Sequence, residues 1–223
     1  MKAVIETARL SLRHFVEEDL DRMAELMANA DFMRFSSGIF TREQTRSLLF
    51  DRVIGPARAG LPSLFAVVFR KENNLIGYCG FLRQVVDNTD EIEIGYRLHP
   101  DYWNQGLATE AAGAVRAYAF DELKLKRVIS LIHPDNHASR RVTEKNGLTF
   151  EKQTLFKKSP VLFFSAHRSP KIGEGGRCSV IAVEGTRSQQ KDRRLSPCIG
   201  FMHAGRSMAT DKFICQRTIR FRA

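Results

Sequence analysis

The apolar positions of this chain change their period several times, and each change marks an element. LSLRHF (10–15) alternates apolar and polar residues, as a half-buried strand does. In EEDLDRMAELMANA the spacing becomes helical, with Leu20, Met23, Ala24 and Met27 on one face that reads as core. Thr41 followed by Gln44 forms a capping box and predicts a helix to about Arg58, ended by Gly60 and Pro62. Three strand-like runs follow: SLFAVVFR (63–70), LIGYCGFLRQV (75–85) and EIEIGYRL (91–98). The turn-rich KENN and VDNTD join them, so an antiparallel meander is expected.

HPDYWNQGLATEAAG then leads into a helix from about Gly106 to Leu123, with Ala108, Ala112, Val115, Ala119 and Leu123 sharing a face. Strand RVISLI (127–132), the turn HPDN and a short helix HASRRVTEKN come next, and Gly147 suits a left-handed cap to that helix. TFEKQTLF and VLFFSA look like a closing pair of strands. The order is β-α-α-β-β-β-α-β-α-β-β. A helix that crosses over between strands 91–98 and 127–132 should make them parallel. The fold class is therefore α/β, with a mixed and mostly antiparallel sheet containing one central parallel pair.

Composition divides the chain in two. Its 223 residues carry a formal charge of +10. Residues 1–168 hold 24 Lys and Arg against 21 Asp and Glu, a net of +3, whereas residues 169–223 hold 11 against 4, a net of +7. Cys178, Cys198 and Cys215 also fall in the second part, without C-x-x-C spacing, so neither a zinc site nor a disulfide framework is expected. The tail opens on SPKIGEGGRC, has no sustained period, and is expected to be a poorly ordered extension of a 1–168 domain. CSVIAVE and DKFICQRTIRF are its only strand-like runs. No run of 18 apolar residues occurs, so no membrane span is expected. The start MKAVIETARLSLRHF does not read as a signal peptide, which makes the cytoplasm the expected location.

The candidate chemistry lies in the turn before the long helix. A helix N-terminus has unsatisfied N–H groups and a partial positive charge, and together these attract phosphate. Phosphate oxygens reach those amides only where side chains leave room, and Gly106 and Ala108, flanked by Asn104, Gln105 and Thr109, meet that need. The plainer alternative is a helix that needs small residues to pack closely on a sheet. The position of the turn, at the carboxyl end of a strand entering a crossover, favours a ligand crevice. Gly95 within that strand suggests a bulge, whose freed backbone groups could pair with an extended, amide-containing ligand.

Three stretches, ETARLSLRHFVEEDLD, EIEIGYRLHPDYWNQGLATEA and NHASRRVTEKNGLTF, carry a resemblance over about residues 5–168. Here the chain resembles the GNAT superfamily of acyl-CoA N-acetyltransferases, and within it the RimJ/RimL-like branch. The family's pyrophosphate signature R/Q-x-x-G-x-G/A finds Trp103 in its first place, Gly106 in its second and Ala108 in its third. Asn104 stands where that branch usually has glycine, and asparagine tolerates positive φ better than most residues. The resemblance implies a central strand pair splayed to bind acyl-CoA. It implies acetyl-CoA as co-substrate, with no metal, held at the pyrophosphate by the amides of Asn104, Gln105, Gly106, Leu107, Ala108 and Thr109. Main-chain groups of Tyr96, Arg97 and Leu98 would hold the pantetheine arm. Asn136 and Ser139 would meet it near the sulfur, although Asn136 also suits plain helix capping.

An amine attacks a thioester only when neutral, so a proton must leave and the oxyanion must be stabilised. Glu93 is the candidate base, and the amides near Gly95 and Tyr96 are the candidate oxyanion donors. The bland reading makes Glu91 and Glu93 a solvated face or a surface for a basic substrate. Where related enzymes place a tyrosine acid, seven residues after Asn136, this chain has Thr143, which leaves Ser139, a water or no dedicated acid to serve the thiolate. His133 and His137 flank the same turn, and Arg140 and Arg141 are further candidates for the nucleotide phosphates.

The resemblance thus implies an acetyl-CoA-dependent N-acetyltransferase acting on a primary amine, either a protein N-terminus or a small molecule, as a monomer or homodimer. The alternative is a non-catalytic acyl-CoA-binding module whose basic tail contacts RNA or the ribosome. The composition shift at Ser169 also fits a fused or translated-through extension with no selected function.

Overall fold

The computed structural model describes residues 2–36 and 38–169. The expectations for the basic tail, its three cysteines, its two strand-like runs and its RNA contact lie outside the described residues. Among those described, no helix is long and apolar enough to cross a membrane.

Eight strands form one sheet in the order β1-β2-β3-β4-β5-β6-β8-β7. They are β1 (Ile5–Glu6), β2 (Leu10–His14), β3 (Leu64–Phe69), β4 (Asn74–Val86), β5 (Thr89–Leu98), β6 (Arg127–Ile132), β7 (Thr149–Phe156) and β8 (Ser159–His167). All neighbours are antiparallel except β5 and β6, the pair joined by the crossover helix. The short β1 was not expected, because two residues are too few to show a period. Asp87 and Asn88, at φ 48° and 61°, turn β4 directly into β5, and residues of this type tolerate the left-handed pair that a tight hairpin needs.

The helices are α1 (Leu20–Ala28), α2 (Arg42–Ser47), α3 (Gly55–Arg58), α4 (Leu107–Asp121) and α5 (His137–Lys145). Thr41 and Gln44 make the expected capping box at α2. The single helix predicted to Arg58 is instead interrupted by a π-helical stretch, Leu48–Ile54. Pro56 lies just beyond it, and a proline ring clashes with the carbonyl four residues earlier, which a widened turn relieves. At the end of α5 the amide of Leu148 donates to Thr143 O and that of Gly147 to Glu144 O, with Gly147 at φ 73°. This is a Schellman stop, as the glycine suggested.

The sheet is covered on both faces. On one, Leu107, Ala111, Val115 and Ala119 of α4 pack on Leu12, Val67, Ile94, Leu98 and Val128. On the other, Met23, Leu26 and Met27 of α1 meet Leu49, Val53 and Ala66. The alanines of α4 bring its axis close to the strands, and so set its first turn beside the carboxyl end of β5.

The expected bulge at Gly95 is absent. Pairing of β4 with β5 runs in unbroken register from Gly77 opposite Leu98 to Val86 opposite Thr89. Gly95 is small for a different reason: a Cβ there would come within 2.9 Å of Leu82 Cδ1. Free backbone on β5 arises instead from its other edge, where β6 turns away.

Candidate active site

Gly106, at φ 78°, is the N-cap of α4 and makes no side-chain capping bond, so the amides of the first turn are not capped by a side chain. Asn104 is also left-handed, at φ 58°. Left-handed residues in a turn tilt successive N–H groups toward one point, a nest suited to an anion. The loop is held from behind. Trp103 Nε1 donates to Leu98 O (2.7 Å), Gln105 Nε2 to Asp101 O (2.8 Å) and Arg9 Nη1 to Gln105 O (2.9 Å). The tryptophan in the signature's first place thus ties the loop to the end of β5.

β5 and β6 share one registered pair, Glu93 with Ile129. The His99 amide donates to Ile76 O, on the β4 side. Successive residues of a strand point their amides to opposite edges, so Arg97, Gly95 and Glu93 also face β4 while Leu98, Tyr96 and Ile94 face β6. This corrects two expectations. Of Tyr96, Arg97 and Leu98, only Tyr96 and Leu98 turn main-chain groups into the gap, and the Leu98 carbonyl is taken by Trp103. Of the two oxyanion donors, the Gly95 amide points away and the Tyr96 amide points in.

The gap and the α4 nest open into one cavity of about 480 Å³. Tyr96, Arg97 and Leu98 of β5 line it, as do Asn104, Gly106, Leu107, Ala108 and Thr109 at the start of α4 and Asn136 and Ser139 at the start of α5. Gln105 is not on the wall, since its side chain and carbonyl are turned to Asp101 and Arg9. Glu93 is not on the wall either. Arg34, Arg141 and Lys145 also line the cavity and supply positive charge for an anionic ligand, whereas Arg140 is paired with Glu144 at 2.9 Å. Arg97 is held by Ser36 Oγ (2.5 Å) and Met33 Sδ (2.9 Å) in the segment after α1. That segment also brings the Phe35 ring within 5.5 Å of the His133 ring.

The Glu93 carboxylate lies within the sheet layer, accepting from Gln84 Nε2 (2.7 Å) and from the Leu131 amide (3.4 Å). Burial pushes its pKa up, against the lowering effect of those two bonds. Burial likewise pushes the Tyr96 phenol up to about 12, and its hydroxyl donates to Ser139 O at 3.0 Å. Asn136 Oδ1 accepts from the Ser139 amide at 3.0 Å. It therefore caps α5 and also lines the cavity.

An anion nest and a parted strand edge on one cavity suit a ligand with a diphosphate at one end and an extended amide chain at the other. The model of the Acetyltransferase (GNAT) domain matches residues 9–149. The chain belongs to the GNAT acetyltransferase family. Enzymes of this family take their acetyl group from acetyl-CoA, whose diphosphate and pantetheine arm fit the two halves of the cavity. The chain is 32% identical over 155 residues to YnaD, an uncharacterized N-acetyltransferase of Bacillus subtilis, covering 69% of this chain and 86% of that one. An acetyltransferase (GNAT family) from Bacillus anthracis is 30% identical, with a TM-score of 0.63 over 74% of this chain and 98% of that one. RimL, a ribosomal L7/L12 alpha-N-protein acetyltransferase solved in complex with coenzyme A, shares the fold at 17% identity and TM-score 0.63, over 74% of this chain and 98% of that one.

Several residues of this GNAT site gave no signal in the sequence. Arg9 sits in an ordinary strand-entry turn, and its partner Glu110 is 101 residues away. Phe32 and Phe35 look like the end of a helical core stripe until the fold brings them over the cavity. Ser130, inside RVISLI, looks like any strand residue.

Proposed function

We propose that this GNAT enzyme transfers acetyl from acetyl-CoA to α-amino groups, protein or peptide N-termini foremost, by direct attack of the neutral amine. The observation that supports this is the shared opening of the uncapped α4 N-terminus and the β5–β6 gap onto one cavity. The amides of Asn104, Gly106, Leu107, Ala108 and Thr109 grip the diphosphate, with Arg141 and Lys145 nearby. Main-chain groups of Tyr96 and Leu98 hold the pantetheine arm as a substitute strand. The thioester supplies the electrophilic carbonyl. The Tyr96 amide faces its oxygen, and the Ser139 hydroxyl donates a hydrogen bond to the departing sulfur.

The acceptor class follows from the proton. No carboxylate of β5 lines the cavity; Asp31, Asp135 and His137 do, and on this reading none of them takes the proton and the attacking amine arrives neutral. An α-amino group titrates near 8 and an alkyl amine near 10.4, so at pH 7 the neutral fraction favours the α-amine by about 200-fold. That selection agrees with the RimJ/RimL-like resemblance and places small alkyl amines second.

Calorimetry with CoA and a thiol-release assay over N-terminal peptides, polyamines and aminoglycosides test the reading. Peptide α-amines should release thiol fastest. Tight CoA binding with no thiol from any amine would withdraw the catalytic claim.

A further inference from the structure

Where β5 and β6 part, the backbone groups that lose their ladder partners are satisfied in a reciprocal way. Beyond the Glu93–Ile129 pair, the next rung of a parallel ladder would join Ile94 O to the Leu131 amide. Instead Ile94 O, on β5, accepts from Ser130 Oγ of β6 at 3.1 Å. The Leu131 amide, on β6, donates to Glu93 Oε1 of β5 at 3.4 Å. Each strand lends a side chain to the orphaned group of the other. Both side chains are buried, and Gln84 Nε2 of β4 holds the second Glu93 oxygen at 2.7 Å.

We propose that Ser130 and Glu93 form a clasp that keeps the strands parted at this rung, and that Glu93 serves as a positioning residue and not as the base. The inference rests on the acetyl-CoA reading above. A buried carbonyl or amide left unpaired is costly, so without the clasp the lowest-energy repair is to close the missing rung. Closing it carries β6 toward β5 and draws Leu131 O onto the Tyr96 amide, the group that faces the thioester. The clasp prevents that closure, and the gap stays open before any ligand arrives. Glu93 can do this only while its carboxylate points along the sheet to Leu131, away from the cavity.

Wild-type CoA binding, measured by calorimetry, first tests the acetyl-CoA reading; no binding removes that reading and the clasp with it. Ser130→Thr and Ser130→Val then have the same shape and differ only in the hydroxyl. The Val variant should bind CoA roughly tenfold more weakly than the Thr variant. Equal binding by the two overturns the clasp while leaving the acetyl-CoA reading intact. If neither folds, Glu93→Gln, which keeps an acceptor for Leu131, is compared with Glu93→Leu, which does not, and the same ratio is expected. The pH profile separates positioning from proton transfer: Glu93→Gln should keep the acid limb of kcat/KM where the wild type has it. Loss of that limb makes Glu93 the base and overturns the proposal.

Discussion

Arg9 and Glu110 lie 101 residues apart in sequence and meet in a forked ion pair, with Arg9 Nε and Nη2 each 2.7 Å from Glu110 Oε2. Glu110 also accepts from Thr7 Oγ1 (2.6 Å) and the Arg9 amide (2.9 Å). Burial pushes the Glu110 carboxyl up, but these bonds and the Arg9 charge outweigh it and leave the pKa lowered. The third nitrogen of Arg9 holds Gln105 O, so one side chain fixes the loop before α4 against both the first turn of α4 and the turn before β2. Arg9→Ala should therefore weaken CoA binding about tenfold in calorimetry. Arg9→Lys should not restore it, because an ammonium cannot make the fork.

Glycines 106 and 147 separate the cost of a backbone shape from the cost of blocking a ligand. Both are left-handed, at φ 78° and 73°. A Cβ at either meets only an arginine tip, Arg9 Nη2 at 3.6 Å or Arg116 Nη2 at 3.8 Å, which is ordinary contact. Alanine at either site should cost about 1 kcal/mol and lower Tm by a few degrees. Only Gly106 lines the cavity. Gly106→Ala should then weaken CoA binding at least several-fold while Gly147→Ala leaves it unchanged; equal binding by both variants would mean the diphosphate does not approach this turn.

What the sequence made legible was local. The switch from alternation to helical spacing between EIEIGYRL and LATEAAG located β5, α4 and the turn between them. Gly147 located the end of α5, and Thr41 with Gln44 the start of α2. Gly95 shows the limit, since a glycine that admits the Leu82 side chain and one that marks a bulge look the same in a strand. Arg9, Phe35 and Ser130 were invisible for a common reason. Their partners lie on other elements, and no spacing within one segment encodes a bond to Glu110, a ring contact with His133 or a cap on Ile94.

The raised pKa of Glu93 links stability to pH. Burial is the main cause, so the folded protein binds this proton more tightly than the unfolded chain does. Its favourable contribution is complete below the unfolded glutamate range, near pH 4, and is lost as pH rises through the folded value. Glu93→Gln removes the buried charge and keeps an oxygen for Leu131, while Gln84 can turn its own oxygen to the new amide. The variant should melt above the wild type at pH 7 to 8, with the gap closing as pH falls below 4. A gap that instead widens toward acid would mean that Glu93 is stabilised as a carboxylate in the fold.

The last prediction concerns whose proton shapes the rate. If the amine must arrive neutral and no side chain takes its proton, the acid limb of kcat/KM reports the acceptor and not the enzyme. Two peptide acceptors whose α-amines titrate about one pH unit apart should then give acid limbs displaced by about that amount. A lysine side chain used as acceptor should push the limb to still higher pH and lower the rate at pH 7 by roughly two orders of magnitude. A limb that stays fixed while the acceptor changes belongs to an enzyme group. In that case the α-amine preference loses its physical basis, because a dedicated base would bring alkyl amines within reach.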